Sequence, residues 1–205
     1  MREVDPDKTQ RSMSYQLYID APMPMVTLFR TLDVSRLIRL RRRGYSFNML
    51  MCYCILSAAG AIPEFSLLPV GKKLMAYDTL AVSAIIANRA GGISSCDIPA
   101  CPDLPSFDRA DRELTGRVRD TCENHDLPDS MVIGTSCLAK YDLDGAVNFY
   151  SGLFNNPFLI WGRYRRRGLR TWLRVSFQFH HVQMDGEQAC RFLDELQTAI
   201  RRLDT

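Results

Sequence analysis

Two adjacent histidines, followed four residues later by an aspartate, are the residues of this sequence whose types and spacing could do chemistry. They are His180 and His181, with Asp185 and Gly186 after them. A histidine takes up a proton near neutral pH, so either ring could act as a general base. The carboxylate of Asp185 could instead cap the helix that follows. Two histidines at a turn are also compatible with a purely structural role, and periodicity alone does not decide between these readings.

The elements on either side of these histidines are predicted to be rigid. Residues 175–179 alternate apolar and polar side chains, which is the period of a strand with one face on a core. From Glu187 to Leu203 the apolar residues recur at three- and four-residue spacing, as in an amphipathic helix. The histidines therefore lie between a strand end and a helix start, a mount that can hold a catalytic side chain in place.

The motif resembles the active-site signature of the chloramphenicol acetyltransferase family, a fold family that includes the acyltransferase cores of 2-oxo acid dehydrogenase complexes. The resemblance lies in the run His180-His181-x-x-x-Asp185-Gly186, with Gln178 in the strand before it and Phe192-Leu193-x-Glu195-Leu196-Gln197 after it. It implies that His181 is the general base and that Asp185 is a structural carboxylate.

An arginine and a tyrosine near the start of the chain extend the resemblance. Arg11 and Tyr18 are seven residues apart, the spacing found in the opening strand of the family. The resemblance implies that Arg11 pairs with Asp185 and that Tyr18 lines the acceptor pocket. Residues 12–18 alternate polar and apolar side chains and are predicted to form a strand. A lone arginine here is equally compatible with a solvated surface charge.

A serine in the middle of the chain is the second candidate catalytic residue. Ser136 lies in the apolar stretch 131–138, which is predicted to be a strand, and the run 141–144 after it matches the family pattern. The resemblance implies that the Ser136 hydroxyl donates a hydrogen bond to the oxyanion. The ordinary alternative is a strand serine that only satisfies its neighbours.

Counting outward from these motifs places the substrate-binding residues that the resemblance implies. Together with Tyr18, the acceptor pocket is assigned to Val26, Ala146, Asn148, Leu159 and Ile160. Val26 and Ala146 replace phenylalanines of the family, Asn148 a leucine and Ile160 a threonine. The prediction is that chloramphenicol is either a poor acceptor or is held by a differently built wall. Arg163 and Tyr164 stand where the family has a basic residue and a tyrosine near the coenzyme A channel, and they suit phosphates and an adenine ring. They are equally compatible with exposed hairpin charges.

The rest of the chain predicts alternating strands and helices. Residues 47–62 form a nearly all-apolar segment before Pro63, which is predicted to be a buried helix because it is too short and interrupted to span a bilayer. The basic run 39–43 is compatible with a solvated helix end or with a phosphate-binding patch. The further predictions are strands at 26–29, 73–77, 80–86 and 156–164, helices at 33–39 and 107–122, a proline-rich loop at 99–105 and a basic hairpin turn at 165–168.

Length and composition predict one domain over residues 1–205, with a loose segment at 1–10. The chain has 46% hydrophobic and 24% charged residues, as in ordinary soluble proteins. The polar start of the chain is unlike a signal peptide, and no apolar run has membrane-spanning length, which predicts a cytoplasmic protein without a membrane partner. The seven cysteines lack paired metal-ligand spacing and predict reduced thiols without a metal site. A net charge of +3 is too small to indicate a nucleic-acid partner.

The resemblance carries these predictions to a fold and an activity. It implies an α/β two-layer sandwich, with a mixed sheet and helices on one face, and a homotrimer with active sites between subunits. The implied activity is acetyl transfer from acetyl-CoA, a co-substrate, to a hydroxyl of chloramphenicol or a related small molecule, without a permanently bound cofactor. Two alternatives remain open: a binding or regulatory protein that keeps the fold, and nucleic-acid binding through the two arginine runs.

Overall fold

The architecture comprises ten strands and five α-helices in the residues that the structure, a computed structural model, describes (1–148, 150 and 152–203). The strands are β1 (Arg2–Val4), β2 (Met25–Asp33), β3 (Leu67–Val70), β4 (Lys73–Ala76), β5 (Leu80–Ala87), β6 (Ile93–Pro99), β7 (Met131–Cys137), β8 (Phe158–Trp161), β9 (Arg165–Arg167) and β10 (Arg170–His180). The helices are α1 (Ser12–Tyr18), α2 (Ser35–Arg41), α3 (Phe47–Ala59), α4 (Leu104–Thr121) and α5 (Gly186–Arg202).

A seven-stranded mixed sheet organises the chain. Its order is β2-β10-β8-β7-β5-β6, with β9 paired to β10 beside this path. The pairs β5–β7 and β7–β8 are parallel, and the other pairs are antiparallel. The long strand β10 lies between β2 and β8, and its pairing with β2 continues to its last residue, His180, opposite Met25.

The helices cover one face of this sheet. Strand alternation puts Phe177 and Phe179 on that face, where both are fully buried. Phe177 packs on Phe192 of α5 and on Phe65, with ring centroids 4.6 Å and 6.2 Å away. The predicted two-layer α/β sandwich is confirmed. The opposite face, which carries Phe29, Ser136, Ile160 and Ser176 in one register, is called the open face below.

The N-terminal segment differs from its prediction. Residues 2–4 form β1 and pair antiparallel with β4 in a second sheet of order β1-β4-β3, so a loose segment at 1–10 is wrong. Residues 12–18 form helix α1 and not a strand. The apolar residues that gave the period of two, Met13 and Leu17, are 73% and 57% exposed. Their alternation therefore did not mark a buried strand face.

Several element boundaries also shift for local reasons. Helix α4 begins three residues earlier than predicted because Asp103 caps it, accepting a hydrogen bond from the Ser106 amide at 2.7 Å. Strand β8 is shorter than the predicted 156–164. Strand β6 was not predicted, because three polar residues interrupt its apolar pattern. In the part of the chain that the structure describes, no helix combines the length and the apolar character needed to cross a bilayer.

Candidate active site

His181 lies directly after the end of β10, and its backbone fixes it there. Its amide donates to the Pro24 carbonyl at 2.8 Å, and Tyr18 stacks on its ring with centroids 4.0 Å apart. The ring nitrogen Nδ1 is 3.2 Å from Asp185 Oδ1, but the direction does not suit a hydrogen bond, so Nδ1 is buried without a hydrogen-bond partner. The side chain is 28% exposed. A molecule that arrives from solvent can therefore meet only the other ring nitrogen, Nε2.

His180, its neighbour, occupies a closed environment. The residue is 1% exposed, and its Nδ1 accepts a hydrogen bond from the Val182 amide at 3.1 Å. Burial, with a smaller contribution from the neighbouring His181, lowers the pKa of His180 to about 4. A neutral ring without exposed surface holds the turn together, and it cannot take a proton from a molecule that arrives from solvent.

A buried arginine holds the loop that carries His181. Arg11 is 4% exposed and makes a bidentate pair with Asp185, at 2.6 Å and 2.9 Å. The same guanidinium donates to the carbonyl of Val182 at 2.9 Å and to that of His181 at 2.8 Å. The hydrogen bonds from Arg11 lower the pKa of the Asp185 carboxyl, which stays ionised beside the histidine ring. Arg11 thus fixes both the carboxylate and the backbone of the loop.

Helix α1 supplies a third contact that sequence reasoning missed. Ser14 Oγ donates to Asp185 Oδ1 at 3.3 Å. Arg11, Ser14 and Tyr18 are spaced by three and four residues, so they lie on one side of a helix. In a strand, two residues seven apart would point to opposite faces. The spacing of Arg11 and Tyr18 was therefore a signal for a helix if both were to reach the same loop.

Asp185 also begins helix α5. Its amide donates to Gln188 Oε1 at 2.9 Å, which satisfies one of the free amides at the helix start. The residue that pairs with Arg11 is therefore the N-cap of the helix as well. A change at this position disturbs the helix start and the histidine together.

Ser136 lies on the sheet, away from His181 of the same chain. It forms a register pair with Ile160 of β8, and Ile160 forms a register pair with Ser176 of β10. Ser176 lies four residues before His180. Two strand spacings and four residue rises put Ser136 roughly 16 Å from His180. A single chain therefore does not bring the two predicted catalytic side chains together.

Three of the predicted acceptor residues gather on the open face. Ile160 shares the register of Ser136. The Ala146 amide donates to Ser176 Oγ at 2.8 Å, and Gln178 Nε2 donates to the Asn148 carbonyl at 3.1 Å. These bonds lay residues 146–148 along β10, so Ala146, Asn148 and Ile160 lie on the same face as the serine.

Two other predicted acceptor residues face the opposite way. Leu159 is level with Phe177, has no exposed surface and belongs to the helix-covered core. It therefore does not belong to an acceptor pocket in this structure. Val26 is level with Phe179 and packs against the same core. Side chains alternate between the two faces of a sheet, so the positions of Val26 and Leu159 opposite Phe179 and Phe177 put them on the core face. Ile160, the next residue along, faces the other way.

The residues predicted near the coenzyme A channel lie beside a further arginine. Arg163 is exposed, and its guanidinium donates to the carbonyls of Ala139 and Lys140. The Tyr164 ring packs against Phe47 with centroids 5.3 Å apart, and its hydroxyl accepts a hydrogen bond from Arg41 at 2.6 Å. Arg41 belongs to the basic run 39–43, so this run and the run that begins at Arg163 meet at one place.

Fold and sequence together define the class of this protein. The mixed sheet has one helical layer, and an arginine–aspartate pair holds the histidine that follows strand β10, an arrangement that belongs to an acyltransferase. The chain is a member of the chloramphenicol acetyltransferase family, whose family model matches residues 1–197. Family membership supports acetyl-CoA-dependent acetyl transfer.

Individual relatives agree with this assignment. Chloramphenicol acetyltransferase 2 of Escherichia coli is 26% identical over 204 residues, which are 95% of this chain and 94% of that protein. A solved chloramphenicol acetyltransferase is similar with a TM-score of 0.83 at 18% identity, covering 97% of this chain and 99% of that one. A dihydrolipoamide acetyltransferase of Azotobacter vinelandii gives a TM-score of 0.73 at 15% identity, covering 98% and 92%. These two structures show a shared fold.

Proposed function

We propose that the protein transfers an acetyl group from acetyl-CoA to a hydroxyl of a small molecule, with His181 as the general base. The arrangement of Arg11, Asp185 and His181 is the observation that carries this proposal. It buries one ring nitrogen beside an ionised carboxylate and leaves the other to the substrate. The adjacent His180 is only 1% exposed and cannot compete for the role.

The reaction then follows from the placement of this ring. Nε2 of His181 takes the proton of the acceptor hydroxyl as its oxygen attacks the thioester carbonyl. The imidazolium that forms lies 3.2 Å from Asp185 Oδ1, whose negative charge stabilises it. When the tetrahedral intermediate collapses, the carbon–sulfur bond breaks and the proton passes from Nε2 to the leaving thiolate. Stacking of Tyr18 keeps the ring in one orientation through both steps.

Ser136 is proposed to stabilise the oxyanion of that intermediate from a neighbouring subunit. A hydroxyl aimed at the developing charge is worth about 10²- to 10³-fold in rate. Because one chain holds Ser136 far from the histidine, we infer a homotrimer in which each site takes His181 from one subunit and Ser136 from the next. Exposed apolar side chains on the open face, such as Phe29 at 56%, support an association through this side.

Mixing two inactive variants tests the shared site directly. His181→Ala and Ser136→Ala chains, unfolded together in equal amounts and refolded, should recover about a quarter of the wild-type activity, since that share of sites combines one intact residue from each chain. Each variant refolded alone is the control. No recovery in the mixture would mean that both residues serve the site of their own chain.

The coenzyme A end of the site is proposed to lie at Arg163, Tyr164 and Arg41. Guanidinium groups near a half-buried aromatic ring suit the phosphates and the adenine of this co-substrate. Tyr164 is held by Phe47 and Arg41, so its ring is already oriented. Tyr164→Ala should raise the KM for acetyl-CoA with a smaller effect on kcat.

The acceptor is proposed to be a hydroxylated small molecule that fits the pocket better than chloramphenicol does. On the open face, Ala146 and Asn148 offer a small and a polar side chain where the family has a phenylalanine and a leucine. Loss of a fully buried phenylalanine contact costs about 1.5–3 kcal/mol, so binding weakens by at most about one to two orders of magnitude.

Release of free thiol from acetyl-CoA, measured with chloramphenicol and a panel of other alcohols, tests the proposed activity. We expect turnover with at least one alcohol, and slow turnover with chloramphenicol. Brisk turnover of chloramphenicol at micromolar concentration would overturn the acceptor proposal but would leave the transfer reaction standing. Absence of thiol release with every alcohol would contradict the reaction itself.

A further inference from the structure

A second concave site lies at the end of the molecule opposite the histidines. A cavity of about 420 Å³ opens between α2, the β9–β10 hairpin and the end of α5. Its lining residues are Asp33, Ser35, Arg36, Arg39, Leu169, Arg170 and Arg201. Asp33 is level with Trp172, eight residues before His180, which puts the cavity roughly 26 Å from the histidine end of the strand.

Positive charge dominates this cavity. The guanidinium groups of Arg39, Arg170 and Arg201 come from three separate segments, and among the described lining residues they face one carboxylate, that of Asp33. Asp33 already accepts hydrogen bonds from the amide and the hydroxyl of Ser35, at 3.0 Å and 2.6 Å, and lies 3.8 Å from Arg170. One carboxylate cannot neutralise Arg39, Arg170 and Arg201 together. A multiply charged anion in this concave site would be attracted by all three guanidinium groups at once.

The chemistry of the lining residues selects the class of anion. The cations that line the cavity are arginines, and a guanidinium fork bonds the oxygens of a phosphate in pairs. The geometry points to a binding site for a multiply charged phosphate, either free or as the phosphomonoester group of a larger molecule. The cavity volume is large enough for pyrophosphate as well as for a single phosphate.

The cavity is separate from the proposed coenzyme A end. Arg39 and Arg41 are two residues apart on α2, so they point about 200° apart around the helix axis. Arg41 donates to Tyr164, whereas Arg39 lines the cavity. The basic run 39–43 thus divides between two sites, and phosphate binding here does not depend on the proposed acetyl transfer.

Calorimetric titration with pyrophosphate and with inorganic phosphate, in a chloride buffer of constant ionic strength, tests this inference. We expect saturable binding of pyrophosphate to the wild type, and a loss of about tenfold in affinity in Arg39→Gln and in Arg201→Gln. The matched control is Arg191→Gln, an exposed arginine on α5 roughly 15 Å from Arg201, which should bind as the wild type does. All three side chains are exposed, and unchanged melting without ligand verifies the fold of each variant.

Vesicles of phosphatidylcholine, with and without phosphatidic acid, distinguish the two sources of phosphate. Retention on phosphatidic acid that Arg39→Gln abolishes would support the same site with a lipid headgroup as its ligand. Absence of binding to pyrophosphate, phosphate and phosphatidic acid would overturn the inference. So would equal affinity in wild type and both cavity variants. An equal loss of coenzyme A affinity in Arg39→Gln would show one continuous site and overturn the claim that the cavity is separate.

Discussion

At the scale of single residues, the two histidines show how burial divides two identical side chains. His180 has the Val182 amide as donor and no surface, whereas His181 has an aromatic ring on one face and a carboxylate beside Nδ1. A ring that is buried neutral stabilises the turn, and a ring that is partly exposed can exchange a proton with a substrate. We therefore propose different roles for these two adjacent histidines.

Substitution separates these roles. His181→Ala should lower kcat by about 10²- to 10⁴-fold and leave the fold intact, because it removes only the proton acceptor. His180→Asn should keep most of the activity, since its amide oxygen can still accept from the Val182 amide. Steady-state kinetics and circular dichroism of both variants provide the measurement. An equal loss of kcat in both variants would mean that His181 is not the base that we propose.

The lowered pKa of His180 makes stability depend on pH. Its ordinary value is 6.5 and its value in the fold is about 4, so between these pH values the unfolded chain binds a proton that the folded chain does not. Stability from this group is full above pH 6.5 and is lost as pH falls towards 4, by roughly 3 kcal/mol. Urea unfolding at pH 7 and pH 4.5 should show this loss, and His180→Asn should reduce it. A wild type with equal stability at both values would contradict the assignment.

The stability contribution of Asp185 at the start of α5 can be compared with that of Asp194, which forms an exposed ion pair on the same helix. Asp185→Asn leaves Arg11 buried without its counter-charge, so we expect lower activity and a loss of about 1–2 kcal/mol in stability. Asp194 pairs with Arg30 at 2.6 Å, with both side chains well exposed, and Asp194→Asn should change stability by less than about 0.5 kcal/mol. Thermal melting of the two variants compares them. Similar melting temperatures for the two variants would show that the pair of Arg11 and Asp185 does not stabilise the fold.

At the scale of elements, periodicity predicted the strand and helix around the histidines and the buried helix α3. It failed at α1 because a seven-residue surface helix buries nothing, so its apolar residues carry no core signal. It failed at β6 because neighbouring strand β5 and the His125 segment, rather than an apolar pattern, hold this strand. Short sequence patterns cannot report pairings made by distant segments.

Close packing between β7 and β8 gives a prediction for one glycine. A Cβ added at Gly134 would overlap the ring of Phe158 on the next strand, so Gly134→Ala should destabilise the protein by about 1–3 kcal/mol. Gly116 lies within α4 with open space around it, so Gly116→Ala should stabilise by about 0.5–1 kcal/mol. Chemical denaturation of both variants measures the two signs. Stabilisation by both substitutions would show that Phe158 moves aside.

At the scale of the whole molecule, the distance between Ser136 and His181 could not be seen in the sequence. Motif matching placed both residues in one site, but the order β10-β8-β7 and its register separate them within one chain. Leu159 and Ile160 are adjacent in β8, so their side chains lie on opposite faces of the sheet. The sequence could indicate which residues are candidates for the site. It could not indicate the order of the strands or the sheet face on which each residue lies, because both depend on long-range pairing.

Association of three chains is the prediction that follows at this scale. Light scattering should give about three times the chain mass of 23.4 kDa, since we infer sites between subunits. Dilution that yields monomers should abolish acetyl transfer and leave secondary structure in place. A monomer with full activity would contradict the shared site.

The contact between Arg11 and Asp185 spans 174 positions of the chain, and this has a consequence for synthesis. At about 5–20 residues per second, a ribosome adds Asp185 roughly 10–35 s after Arg11. The guanidinium stays in water during that interval, and the loop it will order does not yet exist. A chain released early could contain the serine strand and most of the sheet. It would still lack the contact that holds His181, the proposed base, so the site cannot be completed before Asp185 has been made.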